Sequence, residues 1–176
     1  PLNEEQDSLR QTLSFGLFNN LKSNFHLGNS TGRLFEIGKV FALNSSAATQ
    51  KTDSESSPYQ ESWRLGLSAW GLVTGLWQKK SDHHPVFEVK AVLENYLRAV
   101  GINSFKWQSV SNKGEVPAFL HRGQVAFLLV DGRKVGYIGS VHPALLEEEK
   151  IRVDAAMAEI DLDAIFAKLP RPKKAS

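Results

Sequence analysis

The 176-residue sequence contains no cysteine. This excludes a disulfide framework, a thiolate nucleophile and a cysteine-ligated zinc site, so any metal would need histidine and carboxylate ligands. A strong charge of one sign is also missing. The formal net charge is +2, with several of the 21 basic residues in the tail PRPKKAS, too mild a balance to indicate nucleic-acid binding by itself. No run approaches the roughly 20 consecutive apolar residues of a membrane helix. The opening PLNEEQDSLRQ is acidic and polar, unlike a secretory leader, so a cytoplasmic chain without membrane contact is expected. What remains is ordinary for a globular domain: 41% hydrophobic and 23% charged residues, enough to close one core.

Leu13, Leu17, Leu21 and Phe25 recur at four-residue steps with Phe18 beside them, predicting an amphipathic helix that stops near Gly28. Asn3 and Gln6 could cap a turn upstream, and Gly16 could interrupt or bend the helix. Arg33 to Leu43 reads as a strand with Phe35, Ile37, Phe41 and Leu43 on one face and Gly38 allowing close approach or a bulge on the other. Asn44 to Glu61 is rich in Ser, Thr and charge, which predicts a mobile loop inserted before a second strand, Trp63 to Leu72. A helix from about Pro85 to Gly101 and a short strand in NSFKWQSV follow.

Gly123 to Leu146 resembles a glycine-rich phosphate loop at first sight. Asp131-Gly132 between two β-rich runs is instead a hairpin signal, because a type I′ turn needs positive φ at both central residues. The register that follows pairs Val130 with Arg133, Leu128 with Val135, Phe127 with Gly136 and Val125 with Ile138, leaving both ribbon faces apolar. Gly136 and Gly139 then lie within a strand, their N–H groups in the ladder, and their spacing matches no nucleotide-binding glycine pattern. His142-Pro143 suits the start of a short helix. A strand at Ala156 to Leu162 and a helix from Asp163 complete an α+β order: a mainly antiparallel sheet flanked by helices.

PLNEEQDSLRQTL, RLFEIGKVF, FEVKAVLENYL, FLHRGQVAFLLVDGRKVGYIGSVHP and AEIDLD, taken together and in order, resemble the beta subunit of bacterial phenylalanyl-tRNA synthetase over nearly the whole chain. The resemblance implies the catalytic-like module of that subunit, with the antiparallel fold of class II synthetases but without the active site. It implies a fragment of a longer chain, with residues 1–169 as the module and 170–176 as a linker. The implied partner is the alpha subunit, in a heterotetramer of two alpha and two beta chains that reaches tRNA as a holoenzyme. The holoenzyme would use ATP and magnesium, and this module no cofactor. The sequence departs from the family pattern at Phe15, at Lys90-Ala91 and at His121-Arg122-Gly123, where the local turn comes into question.

Adenylate formation needs a fixed arginine to stabilise phosphate charge. The arginine signatures of active class II domains are missing: Arg33 is misplaced relative to Glu36, Arg152 follows Ile151 in an expected loop, and Ser140-Val141-His142 has no arginine. Asp82, His83 and His84 are adjacent and do not converge on one ion easily, so no metal is assigned. His121 and His142 could meet across the sheet as hydrogen-bonded structure. Glu36 is expected to pair with a buried arginine or N–H group, and Arg10 or Arg64 could be the partner. Glu147, Glu148 and Glu149 are expected on a solvated face. The stripe Leu9, Arg10, Leu13, Leu17, Phe18 and Leu21 is the candidate subunit interface. Trp63, Trp70, Trp77 and Trp107 could stack on bases, but apolar strands place aromatics in cores more often. An active acyl-adenylate-forming ligase domain and a free-standing nucleic-acid module remain the alternatives.

Overall fold

The computed structural model describes residues 9–43, 59–71 and 84–169. Among these described residues, six antiparallel strands form one sheet in the order β1-β2-β6-β5-β4-β3: β1 Gly32–Leu43, β2 Tyr59–Trp70, β3 Phe105–Ser109, β4 Leu120–Val130, β5 Arg133–Val141 and β6 Ala155–Asp161. The helices are α1 Ser14–His26, α2 Pro85–Ala99, α3 Pro143–Glu148 and α4 Leu162–Phe166. Among the described residues no helix is long and apolar enough to cross a membrane.

Chemistry at their ends sets the helix boundaries. Gly28 and Gly101 adopt φ of +95° and +88°, and behind each the chain turns back in the 6→1, 5→2 bond pair of a Schellman stop: Asn29 N–H to Asn24 O with Gly28 to Phe25, and Ile102 to Leu97 with Gly101 to Arg98. A different device, common to both, starts α2 and α3. Pro85 and Pro143 occupy first-turn positions, and the preceding His84 and His142 each accept a backbone N–H at Nδ1, from Val86 and Ala144 at 3.2 Å. Gly16 does not interrupt α1, which is one continuous helix. The proposed cap at Asn3 and Gln6 lies outside the described residues, as do residues 44–58 of the expected loop and Leu72. Tyr59, Gln60 and Glu61 are strand, pairing with Leu43, Ala42 and Phe41.

The sheet separates two cores. Val89, Leu93 and Leu97 of α2, with Ile165 of α4, pack on Leu65, Ala158, Ile160, Leu128, Val135 and Ile138. On the opposite face Leu13, Leu17 and Leu21 of α1 pack with Val40, Trp70, Met157 and Val141. Each fully buried leucine contributes about 2 kcal/mol of apolar transfer. Phe35 and Ile37, on the β1 face opposite α1, remain exposed.

Asp131 and Gly132 have φ of 49° and 77°, and Val130 faces Arg133, as expected for the hairpin. Beyond that pair the register differs from the sequence expectation. Leu129 pairs with Lys134 but Leu128 pairs with Gly136, so a β-bulge around Val135 shifts the rest: Phe127 meets Tyr137 and Val125 meets Gly139. The extra residue has a packing reason. It lets Val135 and Ile138, three apart, both enter the α2 core, and it sends Tyr137 to the α1 face. A second irregularity lies between Leu120 and Val125, where the His121-Arg122-Gly123 departure falls; His121 Nδ1 accepts the Gly123 N–H at 3.2 Å and makes the local turn.

Candidate docking face and its buried anchor

α1 rests on a platform made by the absence of side chains. Gly38 and Gly66 stand on β1 and β2 beneath it; a Cβ on Gly66 would lie 2.6 Å from Leu17 Cδ1, and one on Gly38 would run into the Arg10 guanidinium and Leu13. The sequence expectation of close approach at Gly38 therefore has a definite occupant. Leu13, Leu17 and Leu21 descend onto this platform and are no more than 1% exposed.

At the start of α1 no side chain of its own residue 13 caps the helix. The cap comes from β6. Glu159, 5% exposed in the middle of the sheet, accepts hydrogen bonds from Thr12 Oγ1 (2.5 Å), the Leu13 N–H (3.0 Å) and Ser14 Oγ (3.2 Å). Thr12 Oγ1 in turn accepts the Ser14 N–H at 3.1 Å. A carboxylate facing the first backbone N–H groups also complements the positive end of the helix dipole. Ser14 Oγ lies 2.9 Å from the Tyr137 hydroxyl. Burial, followed by the nearby Glu159 charge, pushes the Tyr137 phenol up to about 12, against the opposing hydrogen bonds of Ser14 and Thr12. A buried charge is costly unless it is hydrogen-bonded, and here three donors converge on Glu159 Oε2. Neither Glu159 nor Tyr137 was singled out in the sequence. The available signal was a carboxylate in the apolar alternation AAMAEID, on the same face as Ala155 and Met157.

Two ion pairs flank this anchor. Arg10 donates from Nη1 to Glu36 (2.6 Å) and from Nε to the Lys39 carbonyl (2.7 Å), so Arg10 is the partner of Glu36, but the pair is half-exposed rather than buried. Arg64 is 3.2 Å from Asp161 instead. A third pair, away from the anchor, joins Arg33 to Glu88 of α2 at 2.7 Å.

The proposed interface stripe divides. Leu13, Leu17 and Leu21 are interior to this chain and present no surface to a partner, because they fill its own core. Leu9 is 47% exposed, Arg10 is exposed and Phe18 is partly buried against the core. The outward apolar residue of α1 is Phe15, 65% exposed. Its ring lies 6.0 Å from Phe119, which lies 6.4 Å from Tyr137, so an aromatic line runs from the surface to the anchor. Leu145 and Pro117 border the shallow groove beside Phe15.

The ribbon glycines are placed between strands. Gly136 pairs with Leu128 on one side and Ile160 on the other, and Gly139 with Val125 and Met157. A Cβ at Gly136 would strike the Glu159 carbonyl and Ile160. His121 and His142 do meet, with ring centroids 5.8 Å apart, each committing Nδ1 to a backbone N–H. Asp82, His83 and Trp77 lie outside the described residues; among those described, no group of three or more His, Asp or Glu could hold a metal ion. Trp70 is core, its indole N–H donating to the Asn29 carbonyl at 2.8 Å, and Trp107 donates to Glu94 at 2.9 Å.

Comparison with known proteins adds family and fold. Residues 1–162 match the family described as "Phenylalanyl tRNA synthetase beta chain CLM domain". The chain is 49% identical over 172 residues to the phenylalanine–tRNA ligase beta subunit of Bdellovibrio bacteriovorus, covering 98% of this chain and 20% of that protein. It is 29% identical over 174 residues to the beta subunit from Carboxydothermus hydrogenoformans, again covering 20% of the relative. The chain thus spans about a fifth of the length of the curated relatives it matches. Its fold is that of a pyrrolysyl-tRNA synthetase from Desulfitobacterium hafniense, with a TM-score of 0.59 at 16% identity over 89% of this chain and 48% of the other.

Proposed function

This chain belongs to the phenylalanyl-tRNA synthetase beta chain CLM domain family, and from that premise we propose that it is the non-catalytic structural and subunit-assembly module of such a beta subunit. In this reading an alpha subunit activates phenylalanine with ATP and magnesium, and the module holds that subunit within a cytoplasmic heterotetramer of two alpha and two beta chains. tRNA is engaged by the holoenzyme. The observation that carries the reading is the anchoring of α1: Glu159 fixes the start of the helix through three hydrogen bonds, while Phe15 stays outside. A helix fixed in position that presents an exposed aromatic suits a docking element, because an ordered surface loses little further entropy on association. Leu9, Arg10 and Phe18 supply the rest of the contact.

Co-expression with an alpha subunit tests this. Phe15→Glu should lower the affinity between subunits about tenfold or more, the scale of a central aromatic contact, read by light scattering. The KM for phenylalanine in the tetramer that does form should stay unchanged. Undiminished assembly overturns the docking role. ATP-dependent pyrophosphate exchange by the beta subunit alone would instead support an adenylate-forming ligase domain. Steeply salt-dependent tRNA binding by the beta subunit alone would support a nucleic-acid module.

A further inference from the structure

On the face of the sheet opposite α1, a cavity of about 380 Å³ opens between the start of α2 and strands β4 and β5. We infer that it is a binding site for a small molecule with a flat apolar body and a single carboxylate. The size falls within the range of small-molecule pockets. Its walls are apolar: Val86 of α2, Trp107 of β3, Ala126 of β4 and Ile138 of β5. Trp107 is held by its bond to Glu94, which also takes Arg98 at 3.1 Å and Lys90 at 3.4 Å. Burial raises the Glu94 pKa, but the bonds from Trp107 and Arg98 and the charge of Lys90 outweigh it and leave the carboxyl below its ordinary value, so the brace on the indole stays charged.

Each polar side chain of the cavity can donate a hydrogen bond to an anion. Ser140 is 3% exposed and its hydroxyl has no hydrogen-bond partner, an arrangement that costs free energy until a ligand or solvent atom bonds it. His84 commits Nδ1 to the Val86 N–H, which leaves the proton on Nε2 as a donor. Lys90, which also pairs with Glu94, and the Gln124 amide stand at the rim, and among the described residues that line the cavity none is acidic. Donors without a carboxylate select against an ammonium group. A zwitterionic amino acid should therefore bind worse than the same skeleton without its amine. The site is independent of the α1 face, so either proposal can fail alone.

The experiment uses the full-length protein containing this chain, in its native assembly, with isoleucine and valine methyls labelled for NMR, so that the readout is local to Ile138 and Val86. The probes are 3-phenylpropionate, L-phenylalanine and 2-phenylethylamine. We expect 3-phenylpropionate to shift both sets of methyls and saturate with a Kd on the order of 1 mM, normal for a ligand of this size. The two amines should produce less than about a tenth of that occupancy at equal concentration. Ser140→Ala should weaken the carboxylate about fivefold, the worth of one hydrogen bond, and Ala126→Phe should abolish the shifts by filling the cavity. Absence of shifts with 3-phenylpropionate overturns the site. So do equal shifts with 2-phenylethylamine, which would mark the cavity as merely greasy; because this series uses the unmutated protein, it decides even where a variant fails to fold.

Discussion

The helices α1 and α2 lie on opposite faces of one sheet and are held there by different physics. α2 presents Val89, Leu93 and Leu97 to a continuous apolar core and is tied from outside by the Arg33–Glu88 pair. α1 buries three leucines as well, but its first turn is bonded to the sheet through Glu159, Thr12, Ser14 and Tyr137. Apolar burial is non-directional and tolerates small shifts along the helix axis; a three-donor carboxylate does not. A helix that only stabilises can be held by grease alone, whereas one that must present an outer face in a fixed place gains from polar registration.

Substitutions can separate the two mechanisms. The largest effect is expected where both helices should behave alike: Leu93→Ala and Leu17→Ala should each cost about 3 kcal/mol, since both sites are fully buried. Chemical denaturation checks this, and a cost for Leu17→Ala well under half that of Leu93→Ala would show that burial is not shared. Glu159→Gln is the sharper test. It removes the charge and brings an NH2 group to a site already crowded with donors, at a cost of about 2 kcal/mol. Native-state amide exchange should speed up in residues 14–26 while the amides of α2 keep their protection; equal loss in both helices would erase the distinction.

Tyr137→Phe should cost about 1 kcal/mol at neutral pH, one hydrogen bond. Its pH signature is more telling. The folded phenol titrates at about 12 against 10.0 for the free group, so its contribution is complete below pH 10 and is lost as pH rises from 10 through 12, where the unfolded chain ionises first. The variant should flatten that stretch of the stability profile. Smallest of all is the Lys39–Glu61 pair on the exposed strand surface: Lys39→Ala should change stability by less than about 0.5 kcal/mol, and high salt should erase even that.

Most of the element order was legible because each piece carries a local signal. The leucine steps of α1, the Asp-Gly turn and the His-Pro starts depend on residues within one turn of one another, and the structure has them where the pattern puts them. The anchor was not legible. Glu159 reaches Thr12 across a sequence separation of 147, and no local pattern reports such a contact. The stripe Leu13, Leu17 and Leu21 was legible as apolar but not as interior, since core and interface share one composition. The register of the ribbon failed beyond the turn for a similar reason. Strict alternation places Val135 with Tyr137, and only the competing demands of the two cores make the bulge favourable.

That bulge makes β5 a phase-setting element. Downstream of it, even-numbered positions from Gly136 to Ser140 look toward α2 and odd-numbered ones toward α1. Removing Val135 would straighten the ladder without moving it: Lys134 would stay opposite Leu129 and Gly136 opposite Leu128, so Tyr137 and Ile138 would keep their faces while the α2 core lost one valine. The bulge is therefore the slack point of the strand: a letter lost there is absorbed, whereas one lost beyond Gly136 would turn every later side chain over.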